Sequence, residues 1–181
     1  MYILLYVKTT HATIGVQMIQ NEDENQAFHR RVGEILRIAV NVEEELDFFI
    51  ANYFCTPQSY KTFLLKDLWL VERTGGRKIN IFKKICKEEK IDEKRVNGIV
   101  EAMNFVIEKR NMAAHGEAFV YDKEEGIKLQ TRKSMKKKEQ ELKVTDDLVK
   151  QIDEKRSYAK QEIVNLYLEL SNPSREKDND W

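Results

Sequence analysis

Arg110, Asn111 and His115 stand in the run Glu108-Lys109-Arg110-Asn111-Met112-Ala113-Ala114-His115-Gly116, and their side-chain types suit proton transfer beside an anion. An imidazole changes charge near neutrality and works as a general acid or base. A guanidinium stays charged, and its planar fork fits phosphate or carboxylate oxygens. An amide beside them can orient either partner, and Ala113 and Ala114 are small enough to let another backbone or strand come close. The same residues also have a structural reading. A histidine at a helix C-terminus can interact with the last carbonyls and the helix dipole. Arg110 can likewise pair with Glu44 or Asp47 as a packing bridge.

The spacing constrains how these groups combine. Arg110 follows Ile107 by three residues and so falls on the apolar stripe of its helix. An unpaired arginine on a buried face is costly, so this one needs a carboxylate or a bound phosphate. His115 lies five residues on, about 140° round an ideal helix, and shares a face with Asn111. One helix does not easily aim Arg110 and His115 at the same atom. Two copies meeting across an interface can.

Other chemistries find little support in the sequence. There is no GxxxxGK[ST], no GxGxxG after a strand and no GxSxG. His11, His29 and His115 are scattered without HExxH spacing, which argues against zinc. Glu43-Glu44-Glu45 with Asp47 reads as a solvated helix face, because adjacent residues point about 100° apart. No metal and no cofactor are expected. Arg73, Arg77, Lys78, Lys83 and Lys84 form one basic cluster and Arg132 to Lys138 a second. Each reads as a solvated face or as a route for the phosphates of a nucleic acid, and Trp69 reads as core.

The elements that must position these residues are helical. The chain has 181 residues, long enough for one domain with its own core. Lys plus Arg and Asp plus Glu both number 31, so no global field advertises a nucleic-acid partner. Only 7 Gly and 2 Pro accompany a charged fraction of 34%, as suits long solvated helices. Cys55 and Cys86 form no CxxC and read as reduced packing residues of a cytoplasmic protein. Met1–Tyr6 is apolar but too short to span a bilayer, so no membrane partner is expected.

Residues 1–20 form an extension of uncertain structure, with Met18 a second candidate start. Phe28, Val32, Ile35, Ala39, Val42, Leu46, Phe49 and Tyr53 then mark one apolar stripe from about Glu24 to Tyr53. Thr56-Pro57 opens a second helix through Phe63, Leu64, Leu68, Trp69 and Val71, which Gly75-Gly76 stops. A third carries Ile79, Phe82, Ile85 and Cys86. The fourth starts at a capping Asp92 and ends in the His115 run, with Gly98 marking a close helix approach. Ala118–Tyr121 and Ile127–Thr131 read as a β-hairpin, and Glu141–Val144 as a further strand. Thr145 begins the last helix and Asn172-Pro173 ends it, leaving 172–181 as a disordered tail. The fold class is all-α in the main: a bundle of about five helices over 21–171, a small hairpin before the last, and no internal boundary.

Arg110 and His115 form an RxxxxH at the end of an amphipathic helix, with Asn111 directly after the arginine, and here the chain resembles the HEPN superfamily. The resemblance covers about Glu24 to Leu170. It implies a metal-independent endoribonuclease that acts as a homodimer, two copies of the motif forming one cleft. His115 would serve as general acid or base, Arg110 would neutralise the phosphate, and Asn111 would orient one of them or the RNA. Products would carry 2′,3′-cyclic phosphate and 5′-OH ends, and the role would be that of a toxin or antiviral defence effector. Some such toxins carry a tyrosine two residues after the histidine, which a partner antitoxin modifies. This chain has Glu117 there and its nearest tyrosine is Tyr121, so control by that route is not expected, although another antitoxin protein is compatible. The alternative is a catalytically inactive HEPN-like module that binds nucleic acid or protein, and a third reading is a purely structural helical dimer.

Overall fold

The computed structural model describes residues 22–55, 59–122, 126–130 and 141–171. The amino-terminal extension, Thr56-Pro57, the basic run 132–138 and the tail 172–181 lie outside them. The chain runs α1 (Glu22–Phe54), α2 (Tyr60–Leu64), a π-helical segment (Leu65–Leu70), α3 (Gly75–Glu88) and α4 (Glu93–His115). It continues through β1 (Glu117–Asp122), β2 (Gly126–Gln130), β3 (Glu141–Lys143) and α5 (Asp146–Leu170). The fold is mostly helical, with five α-helices and a small antiparallel sheet before the last, as the periodicity predicts. Two compact units emerge. Among the described residues, one holds those up to Ile38 and those within Glu108–Asp153, the other those within Ala39–Ile107 and those from Glu154 on.

In the first unit the strands lie in the order β1-β2-β3. Ala118 pairs with Leu129, and Leu129 with Leu142, with a register shift between Val120 and Asp122. Leu142 is buried between exposed Glu141 and Lys143, the two-residue alternation of a strand with one covered face. Leu129, Leu142 and Val144 join Phe28, Ile35 and Met112 among the buried apolar residues. Leu148 N–H donates to Thr145 Oγ1 at 3.1 Å, which caps α5. Asp146, in the first turn of α5, accepts both Arg31 Nε at 2.8 Å and Arg31 Nη2 at 2.7 Å. These bonds hold its carboxyl below the ordinary carboxylate range. A helix N-terminus favours the same negative charge.

Helix α4 ends abruptly. Gly116 N–H donates to Met112 O at 2.8 Å, the last helical bond, and β1 begins at the next residue. A Cβ on Gly116 would lie 2.5 Å from Met112 O and 3.2 Å from Leu129 Cβ. Because the first is a backbone atom, only glycine fits this junction.

In the second unit the stripe of α1 buries Ala39, Val42, Leu46 and Phe49. Phe49 meets Phe82 of α3 edge to face, centroids 5.2 Å apart. Such a pair adds roughly 0.5–1.5 kcal/mol beyond area burial. Met103 and Val106 of α4 and Ile163 and Leu166 of α5 are buried. A Cβ on Gly98 would sit 2.9 Å from Tyr158 Oη, so Gly98 marks the close approach of α4 and α5 that the sequence suggests. Arg95 N–H donates to Asp92 Oδ2 at 2.8 Å, which makes Asp92 the cap of α4. The Arg95 side chain reaches Glu162 at 2.6 Å and Glu169 at 2.9 Å. Cys55 and Cys86 are both free thiols, and burial pushes Cys86 up to about 12.

Three expectations are corrected here. First, α2 begins at Tyr60 with Ser59 as its cap, Thr62 N–H donating to Ser59 Oγ at 3.2 Å. Second, Gly75-Gly76 opens α3 and does not stop the element before it. Thr74 is the extended cap residue, and its carbonyl accepts Arg77 N–H at 2.9 Å. A Cβ on Gly75 would lie 2.6 Å from Ile107 Cδ1, so the glycine permits close packing against α4. The preceding element ends instead in the π-helical turn, with Val71 N–H bonded to Lys66 O at 3.1 Å.

The third correction is Lys78, expected in the basic cluster. Its side chain is only 4% exposed, and its Nζ lies 2.7 Å from Asp47 Oδ2 and 4.0 Å from Glu43 Oε2. Asp47 Oδ1 is buried without a hydrogen-bond partner among the described residues. Burial raises the Asp47 carboxyl above its ordinary value, and Lys78 opposes that rise. Lys78→Met leaves this carboxylate buried and unpaired, so a loss of about 3 kcal/mol is expected in denaturant unfolding at neutral pH. Protonation removes the unpaired charge, so the deficit shrinks as pH falls through the raised Asp47 value. Lys78→Met with Asp47→Leu recovers most of the loss.

The glycines supply a paired expectation. A Cβ at Gly33, in mid-α1, meets nothing within 4 Å. Gly33→Ala is expected to stabilise by about 0.5–1 kcal/mol and Gly116→Ala to lower the melting temperature. The same sign for both would contradict the packing described.

Candidate functional site

The last turn and a half of α4 presents the residues singled out in the sequence. Met112 and Ala113 are buried. Arg110 is half-buried, and Asn111, Ala114 and His115 are exposed. At about 100° per residue, Arg110, Ala114, Asn111 and His115 occupy one outward arc of about 140°, and the two buried residues occupy the opposite side. The helix thus anchors itself through Met112 and Ala113 and leaves the polar groups on a shared face. Ala114, with only a methyl group, lies between Arg110 and Asn111 on that arc and leaves the surface there low.

Arg110 Nη1 donates to Asn111 Oδ1 at 3.1 Å. Among the described residues Asn111 Oδ1 is its one hydrogen-bond acceptor, and no described carboxylate forms a salt bridge with it. A neutral amide leaves the positive charge uncompensated, and most of the fork's N–H donors stay available. The bond also swings the guanidinium toward the side of the helix that carries His115. Asp47, one of the two acids named for a structural bridge, holds Lys78 at 2.7 Å. Glu44, the other, is exposed. Beside the arc, Lys109 pairs with Glu108 at 3.5 Å. Arg30 and Arg31 of the same unit both engage Asp146.

Of the first basic cluster, Lys78 is withdrawn into its ion pair, while Arg73, Arg77, Lys83 and Lys84 remain at least partly accessible. The second cluster lies outside the described residues. Trp69, expected in the core, is 40% exposed and carries the Arg73 guanidinium 4.9 Å from its ring centroid. A four-residue spacing is the sequence signal of that contact. Nothing near Arg95 signals the carboxylates that hold it, which lie 67 and 74 residues along the chain. Among the described residues no three His, Cys, Asp or Glu side chains group to hold a metal ion.

If these side chains serve a ligand and not the fold, removing them costs the fold little. Asn111→Ala and His115→Ala are expected to shift unfolding free energy by less than about 0.5 kcal/mol. Arg110→Ala, which also loses packed methylenes, should stay within about 1 kcal/mol. A cost of several kcal/mol for Arg110→Ala would make it a structural residue.

The chain was compared with protein-family models, with curated proteins and with solved structures, and no family model, curated protein or solved structure matches it.

Proposed function

We propose that this protein is a HEPN-like, metal-independent endoribonuclease that acts in the cytoplasm as a homodimer, as a toxin or defence effector. The observation that supports the reading best is Arg110, whose guanidinium meets only a neutral amide among the described residues, on the same exposed arc as His115. The motif's resemblance to HEPN nucleases gives this arrangement its chemistry.

In that chemistry the His115 imidazole of one copy removes the proton of a ribose 2′-OH. The 2′-oxygen attacks the adjacent phosphorus, and the bond from phosphorus to the 5′-oxygen breaks. The imidazolium of the second copy returns a proton to the departing 5′-oxygen, which leaves as a 5′-OH. The other product end is a 2′,3′-cyclic phosphate, and no water is consumed. Arg110 balances the charge that builds on the phosphoryl oxygens, and fixed donors of this kind avoid the reorganisation water would need. Asn111 holds the guanidinium in place through its 3.1 Å bond. A second copy is required because the arc separates Arg110 from His115 by about 140° on one helix. An antitoxin protein would act by covering this face.

The second reading, an inactive HEPN-like module that binds nucleic acid or protein, gains from the exposed Trp69 beside Arg73. Incubation of an end-labelled single-stranded RNA with the full chain in EDTA separates the two. Cleavage with cyclic-phosphate ends is expected, reduced by about 10²–10⁴-fold in His115→Ala. Arg110→Ala should be similarly impaired, and both variants should keep the wild-type circular dichroism. RNA that stays intact with folded, dimeric wild-type protein would remove the enzyme and leave the binding module.

A further inference from the structure

Trp69 is a wall shared by two cavities of the second unit. One, of about 530 Å³, is lined by Phe54, Cys55, Lys61, Leu64, Leu65 and Trp69. The other, of about 390 Å³, is lined by Trp69, Arg73, Arg77, Asn80, Ile81 and Lys84. Among the described residues no acidic side chain lines either. An apolar, aromatic-walled space therefore adjoins a cationic one across a single indole.

The features of this junction point to one class of ligand. A nucleobase is flat and apolar on its faces, and its strand carries a negative charge at each phosphate. Stacking on an exposed aromatic side chain combined with a cationic track is how proteins hold single strands without reading their sequence. Arg73 lies over the Trp69 ring, and its buried Nε has no acceptor among the described residues. Arg77 and Lys84 are seven residues apart on α3, about 10.5 Å along its axis. That span exceeds one phosphate group and suits successive phosphates of a chain better than a free nucleotide.

We infer that the Trp69 junction is a binding site for single-stranded nucleic acid, one base stacking in the apolar cavity and the backbone following Arg73, Arg77 and Lys84. The site does not depend on Arg110 or His115 being catalytic. It accounts for an exposed tryptophan and for three basic residues with no carboxylate partner among the described residues.

The test is fluorescence anisotropy of a labelled oligothymidylate with the full chain. This DNA has no 2′-OH, so the cleavage proposed above cannot consume it, and binding is read separately from catalysis. Trp69→Ala should weaken binding roughly 5- to 150-fold, the range for loss of one stacked base, and Trp69→Phe should restore most of it. Arg77→Ala with Lys84→Ala should flatten the slope of log affinity against log salt by about 1.4, or about 0.7 for each phosphate that is no longer neutralised. His115→Ala should bind as wild type does. The inference fails if wild type binds no oligothymidylate, or if folded Trp69→Ala and the double variant bind as wild type does. It fails also if thymidine monophosphate competes as well as the strand, which would make this a mononucleotide pocket, or if duplex DNA binds as tightly as the single strand.

Discussion

The junction at Gly116 governs how the Arg110–His115 face is presented. A helix that frays lets its last residues wander, but here the final helical hydrogen bond and the first strand residue leave no gap between them. The Met112 carbonyl occupies the place of a side chain at position 116, and Leu129 closes the other flank. His115 is therefore held by backbone on both sides: α4 before it, and a paired strand after it, with Glu117 opposite Gln130. Arg110 and Asn111 sit on the same helix and inherit its rigidity. An exposed imidazole on such a support has little freedom to lose on meeting a ligand.

Part of the charge in this chain is matched in ion pairs. The totals of 31 cations and 31 anions balance, and the described structure matches many of them across long sequence distances. Arg31 meets Asp146, Lys78 meets Asp47, Arg95 meets Glu162 and Glu169, and Lys160 meets Glu45. Arg110 and Arg73 instead meet neutral groups of their own chain. One faces an amide and the other an indole, neither of which neutralises a guanidinium. Exposed pairs contribute little to stability, whereas an uncompensated cation is what an anionic ligand can use.

The fold was legible wherever a local rule determines the outcome. The stripe from Phe28 to Tyr53 and the Asp92 cap place α1 and α4 within a residue or two of Glu22–Phe54 and Glu93–His115. Gly98 was recognised as a close contact because glycine inside a helix calls for such a reason. The run from Arg110 to His115 was legible for the same cause, being contiguous on one helix end. What escaped depends on partners far along the chain. Nothing near Lys78 signals burial, because the acid that holds it is 31 residues away. Gly75-Gly76 resembles a helix stop until Ile107 is seen packed close over Gly75. A periodicity of 3.6 residues places Trp69 in the core, and it does not hold where the hydrogen bonds skip five.

That skip has a consequence for how this surface can change. A π-turn holds one residue more than the α-turn it replaces, so everything beyond it is rotated relative to an uninterrupted helix. Between Leu65 and Leu70 the rotation buries Leu70 while Leu68 and Trp69 stay outside. Loss of a single residue from this segment would let ordinary helix re-form, and the indole would turn away from the cations of α3. The exposed tryptophan is thus a matter of chain length as well as chemistry: a one-residue deletion, with every basic side chain intact, would abolish the surface it forms with Arg73.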